Sequence, residues 1–196
     1  MEKLITVDIS EDILTVAKNY FGFSPDGKVL ESLTKDAYEY VTTLSTGKSE
    51  PPFDLLFMDI NYSSDDITIS PPKKFLEASF LQKLLSLCTP KCSYICINVQ
   101  IYSSEGMESL MKELVALKES DDAPEVVKYH QVEEARNCIV MIARTQEIGK
   151  ADKTNGDVLS DTLKSWSIAN KNMWLKEFDM AELANSITKE VKAGQQ

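Results

Sequence analysis

Glycine is scarce in this chain. It occupies 7 of 196 positions, and none stands before Gly22. Loops that cradle phosphates or cofactors usually draw on several glycines, so the residues ahead of Gly22 hold no such loop. Histidine is scarcer still, with His130 alone. The four cysteines are Cys88, Cys92, Cys96 and Cys138. Cys96 and Cys138 sit inside the apolar runs YICINV and CIVMIA and read as small buried hydrophobes. Cys88 and Cys92 flank a proline-containing turn, and no second pair or histidine completes a zinc set, so no metal is expected. Basic charge is also short: 21 Lys+Arg against 31 Asp+Glu, a net −10. A nonspecific grip on nucleic acid is disfavoured, because the phosphate backbone would be repelled. No apolar run approaches the roughly 20 residues that span a bilayer, and nothing at the start reads as a signal peptide. The expectation is a reduced, cytoplasmic protein with neither membrane nor nucleic-acid partner.

Two short motifs are present without their context. Gly47-Lys48-Ser49 imitates the end of a phosphate-binding loop, but threonine fills positions 42 and 43, and Pro51-Pro52 prevents a helix from following. Asn61-Tyr62-Ser63 is a glycosylation sequon with no secretory signal to expose it.

What the chain does contain is alternation of strand and helix. Leu4 to Val7 reads as a strand ending at Asp8. Ser10 caps a helix in which Ile13, Leu14, Ala17, Tyr20 and Phe21 recur at helical spacing, and Gly22 stops it. Val29 to Leu33 is a second strand, and a short helix covers Ala37 to Leu44. Phe53 to Asp59 is almost continuously apolar, as expected of a strand buried on both faces of a parallel sheet. A loop from Ile60 to Pro72 leaves it, followed by a helix with Leu76, Phe80, Leu84 and Cys88 on one stripe and Leu81 and Leu85 beside them. Tyr94 to Val99 is another buried strand, and Met107, Leu110, Met111 and Leu114 mark another helix. Val126–Val132 and Cys138–Arg144 read as a hairpin-like pair at a sheet edge. Residues 146–157 read as a linker. Residues 158–192 read as a helical extension, with stripes at Leu159, Leu163 and Trp166 and at Met180, Leu183, Ala184, Ile187 and Val191. The pattern implies a doubly wound, mostly parallel α/β sheet.

Ligands in such sheets bind at the carboxyl ends of the strands, which selects Asp8, Asp36 and Asp59. One carboxylate can accept from both ribose hydroxyls, and Asp8 is the candidate; the alternative is a helix-capping or solvent-facing acid. Asp36 could accept the exocyclic amino group of an adenine, or serve as a plain N-cap. Asp59 could orient or deprotonate an amine nucleophile, or belong to a solvated turn. Beyond it, Asn61 to Asp66 adds polar groups and the Tyr62 ring, which could cradle a cation.

At these residues the chain resembles a known family. Thr6 to Ser10 and Val16 to Phe23 are similar to the second-strand region of class I methyltransferases with a spermidine synthase-like fold, and Asp36 to Val41 to their adenine-contacting segment. Phe53–Asp59, Ser70-Pro71-Pro72 and Phe75–Leu81 are similar to the C-terminal domain of the methyltransferase-like 13 family, the elongation factor 1-alpha lysine and N-terminal methyltransferases. Leu159 to Lys164 resembles that family's end region. The resemblance implies a Rossmann-like methyltransferase domain over residues 1–145, S-adenosylmethionine as cofactor, and methyl transfer to a protein amine of an elongation factor 1-alpha-like partner. It implies cofactor contacts at Asp8, Ile9, Asp36, Ala37 and Asp59, with Asp59 near the sulfonium and amine as the catalytic residue. The family's glycine loop and first, central strand have no counterpart here, and the expectation is a truncated chain, inactive alone.

Two other readings stand beside this one. An aminopropyltransferase would use the same fold and need a dense acidic pocket for a polycation, toward which Asp59, Asp65 and Asp66 offer some acid. A non-catalytic interaction module would use Trp166 and Trp174 as anchors, or those rings pack back onto the chain's own sheet.

Overall fold

The computed structural model describes residues 3–47, 53–62, 68–90, 92–131, 136–145 and 189–190. The chain divides into two compact units, Met1–Pro51 and Pro52–Gln196.

In the first unit, β1 (Leu4–Asp8) pairs in parallel with β2 (Leu30–Thr34), with Asp8 opposite Thr34. Between them runs α1 (Glu11–Tyr20). Ser10 caps it by accepting from the Ile13 N–H at 3.3 Å, and Glu11 and Asp12 lie at the positive end of its dipole. Gly22 takes φ +69° just past its end, a left-handed conformation that glycine adopts without strain. A turn missing from the sequence reading leads into β2: Asp26 Oδ1 accepts from the N–H groups of Lys28, Val29 and Leu30 at 2.8–2.9 Å. These bonds, that from Leu30 foremost, hold its carboxyl below the usual range. After β2 comes α2 (Ala37–Thr46), which ends at Gly47 just where the phosphate-loop mimic would need a helix to begin. The apolar stripe of α1 is only partly buried: Leu14 is covered, whereas Ile13, Tyr20 and Phe21 are exposed. A two-stranded ribbon offers little surface for a helix to cover.

The second unit is a six-stranded mixed sheet in the order β3-β5-β7-β6-β8, with β4 also on β5. Its strands are β3 (Leu55–Met58), β4 (Ile69–Ser70), β5 (Cys92–Ile101), β6 (Val126–Gln131), β7 (Asn137–Thr145) and β8 (Lys189–Glu190). Strands β3 and β5 run parallel, and pairings to β4, β6, β7 and β8 are antiparallel. The crossover from β3 to β5 carries α3 (Ala78–Ser86), and α4 (Ser104–Lys118) follows β5. Side chains alternate along β5: Ser93, Ile95, Ile97 and Val99 are buried, and Tyr94, Cys96, Asn98 and Gln100 look to the other face. Phe80, Leu81, Leu84 and Leu85 of α3 and Leu110, Leu114 and Leu117 of α4 are fully buried, so the stripe expected over Leu76–Cys88 is the core. Each such side chain contributes about 2 kcal/mol by leaving water. No helix among the described residues is long and apolar enough to cross a membrane.

Three expectations need correction. The run Phe53–Asp59 is not buried on both faces: Leu55 is 51% and Phe57 72% exposed. As the outermost strand, β3 has one strand partner, β5, among the described residues. The Val126–Arg144 pair is antiparallel as expected, but β7 lies inside the sheet between β5 and β6. Lys189–Glu190, read within a helical stripe, is a strand on β6, where ladder hydrogen bonds outweigh local helical preference. The remainder of 146–192 lies outside the described residues.

The cysteines follow their burial. Cys88 is 3% exposed, its thiol donates to the Leu84 carbonyl at 3.2 Å, and burial pushes its pKa up to about 11. Burial raises the Cys96 thiol as well. At pH 8 a maleimide should label exposed Cys92 rapidly and Cys96 slowly. Cys88 and Cys138 should react only on unfolding, since the thiolate is the nucleophile. Peptide mapping of the labelled chain checks this; rapid labelling of Cys88 in the folded chain would contradict the packing.

Candidate functional site

Strand ends place the three acids. The parallel ladder of the first unit continues past β1 through a bond from the Lys35 N–H to the Asp8 carbonyl at 2.9 Å. Asp8 and Asp36 therefore lie at the carboxyl ends of neighbouring strands, on one edge of that ribbon. Asp8 Oδ1 accepts from the Ser10 N–H at 2.7 Å, and its other carboxylate oxygen has no hydrogen bond among the described residues. Asp36 Oδ1 accepts from the N–H groups of Tyr38 at 2.7 Å and Glu39 at 3.3 Å, so the capping role weighed for this acid is realised. Ile9 follows Asp8 and is 71% exposed. Ala37 opens α2. An acid with a spare acceptor oxygen, an exposed aliphatic side chain and a second strand-end acid fit the adenosine half of a nucleoside cofactor.

Asp59 belongs to the second unit, directly after β3. It is held by an amide relay that the sequence reading passed over. Asn98 Nδ2 donates to Asp59 Oδ1 at 2.9 Å, and Asn137 Nδ2 donates to Asn98 Oδ1 at 3.0 Å. A polar residue midway through the apolar strand YICINV was the available signal for Asn98. The second oxygen of Asp59 has no hydrogen bond among the described residues. Its hydrogen-bond partner Asn98 is a neutral amide, and no described lysine or arginine pairs with it.

The chain after Asp59 is also fixed. The Ser70 hydroxyl is buried, accepts from the Tyr62 N–H at 3.0 Å and donates to the Ile60 carbonyl at 3.4 Å. The Ser70–Pro71 peptide bond that follows is cis. Tyr62, suggested as a cation cradle, is about half exposed. Asp65, Asp66, Trp166 and Trp174 lie outside the described residues. Among the described residues no group of three or more His, Cys, Asp or Glu could hold a metal ion. His130 stands in β6 opposite Ile139.

No protein-family profile matches the chain. It is similar to eEF1A lysine and N-terminal methyltransferase of Homo sapiens, with 33% identity over 91 residues, 45% of this chain. The corresponding protein of Danio rerio is 33% identical over 86 residues, 43% of this chain. The match spans only 13% and 12% of the length of those two relatives. Among solved structures, the crystal structure of human methyltransferase-like protein 13 in complex with S-adenosylhomocysteine superposes with a TM-score of 0.64 at 26% identity. That superposition covers 76% of this chain and 64% of the human one. The fold is the Rossmann-like α/β fold of methyltransferases.

Proposed function

We propose that this chain is an S-adenosylmethionine-dependent methyltransferase of the cytoplasm acting on a protein amine, an N-terminal α-amine or a lysine of an elongation factor 1-alpha-like acceptor. The observation that carries the reading is the Asp59 carboxylate at a strand end, fixed through one oxygen by Asn98 and without a hydrogen bond at the other among the described residues. The relatives at about one-third identity and the fold support the choice of chemistry.

When bound, the cofactor supplies a methyl carbon made electrophilic by a sulfonium. The chain's own residues do the rest. Asp8 accepts ribose hydroxyls with its spare oxygen, Ile9 lies against the nucleoside, and Asp36 with Ala37 borders the adenine. Asp59 accepts an N–H of the acceptor amine, aims its lone pair, and takes or passes on the proton the amine sheds.

Calorimetric titration with S-adenosylmethionine tests the cofactor. Asp8→Ala should weaken binding about tenfold to hundredfold, the loss of charge-assisted hydrogen bonds. Labelled-methyl transfer to elongation factor 1-alpha tests the acceptor. No heat with the unaltered chain would instead favour the non-catalytic reading.

A further inference from the structure

The amides beside Asp59 are oriented by their partners, and the orientation has a consequence. A carboxylate can only accept, so Asn98 must turn Nδ2 toward Asp59. Its Oδ1 then faces Asn137, which must answer with Nδ2. Asn137 is left presenting its carbonyl oxygen. Directly opposite it in the β5–β7 ladder stands Gln100. The Tyr102 hydroxyl donates to Gln100 Oε1 at 2.5 Å, which leaves Gln100 presenting its Nε2 donor. Tyr102 is itself held, with the Arg136 guanidinium 5.1 Å over its ring and its N–H bonded to the Thr68 carbonyl at 3.0 Å. Neither the Asn137 oxygen nor the Gln100 Nε2 has a hydrogen bond among the described residues. The result is one acceptor and one donor on facing positions of adjacent strands, their Cβ atoms about 5 Å apart.

We infer that this ledge binds a peptide group of the acceptor, its carbonyl accepting from Gln100 Nε2 and its N–H donating to Asn137 Oδ1. The inference rests on the amine-methylation reading and narrows it: the acceptor is a polypeptide, recognised by its backbone, and not a free amine. A protonated polyamine has donors only and leaves Gln100 Nε2 unanswered. The spacing agrees. Two residues of strand, about 7 Å, separate Asn98 from Gln100, and two residues of extended peptide reach about as far. An amine at Asp59 and a peptide group at the ledge can thus belong to one molecule.

The test uses the full chain, labelled with nitrogen-15, and observes the side-chain amide signals of Gln100 and Asn137. The probes are tetra-alanine amide, its analogue with esters in place of the peptide links, and propylamine. Tetra-alanine amide should move both signals to saturation. The ester analogue, lacking the N–H, should bind about fivefold to tenfold more weakly, the effect of one hydrogen bond. Propylamine should move neither signal. Gln100→Leu should weaken tetra-alanine amide by a similar factor, and Tyr102→Phe, which releases the Gln100 amide to turn over, should weaken it less. The inference is overturned if the two signals stay still at every peptide concentration, if propylamine moves them equally, or if Gln100→Leu leaves peptide affinity unchanged. This titration needs no turnover, so it stands apart from the labelled-methyl assay. Peptide bound without methyl transfer would sink the enzymatic reading and spare the ledge; methyl transfer unaffected by Gln100→Leu would do the reverse.

Discussion

Asp59→Asn should lower methyl transfer to an amine acceptor by about a hundredfold or more, the scale of losing a positioned proton acceptor. The substitution is clean because asparagine has the same shape. Its carbonyl oxygen can take over the Asp59 Oδ1 position and still accept from Asn98 Nδ2, so the relay through Asn98 and Asn137 keeps its sense. What changes is the outward atom. The carboxylate oxygen proposed to face the acceptor becomes an NH₂ group, so that two donors would meet in place of a donor and an acceptor. Single-turnover methyl transfer with saturating cofactor gives the chemical step, and calorimetry gives cofactor affinity. The expected pattern is a large fall in rate with cofactor affinity within about twofold. A parallel loss of affinity would move the carboxylate's role to the sulfonium. A fall under about tenfold would mean that positioning by the rest of the site suffices.

How far such a site can be read in advance depends on the range of the interactions that make it. The strand-end positions of Asp8 and Asp36 were legible because strand ends and N-caps are local: Ser10 and Asp36 announce their helices within three residues. The core of α3 was legible because leucines at helical spacing must be covered by something. The Asn98 relay was not. Both of its bonds join residues 39 apart in sequence, and only the strand order brings them together. The exposure of Leu55 and Phe57 was hidden for the same reason. An unbroken apolar run looks alike whether its strand is central or outermost, and the neighbours decide. Asp26-Gly27 is a different lapse, since Asp-Gly is a strong local turn signal and Gly27 sits at φ +70°. Lys189–Glu190 shows the limit of periodicity, because a clean helical stripe says nothing of a strand partner some 60 positions earlier.

Gly106→Ala should destabilise the chain by about 2–3 kcal/mol, although the same change in a solvent-exposed helix would stabilise it by about 1 kcal/mol. Gly106 lies buried in the first turn of α4, where Ser103 caps it with a bond to the Gly106 N–H. A Cβ there would stand 2.3 Å from the Thr68 carbonyl oxygen and 3.0 Å from its carbon. The obstacle is backbone and cannot swing aside. That carbonyl also accepts from the Tyr102 N–H, and the next residues form β4 on β5, so relief must shift either the strand or the helix. The displaced strand carries Ser70, which clamps Ile60 and Tyr62 immediately after Asp59. Loss of stability should therefore be accompanied by loss of methyl transfer even well below the melting temperature. For a chain of this size the expected drop in Tm is roughly 4–12 °C. Gly47→Ala supplies the contrast, since its added carbon would meet ordinary contacts at 3.7 and 3.8 Å and no positive φ constrains the site. Thermal melts of the two variants check the argument: Gly47→Ala should stay within about 0.5 kcal/mol of the parent chain, and a rise in Tm for Gly106→Ala would show that α4 and β4 are not packed as described.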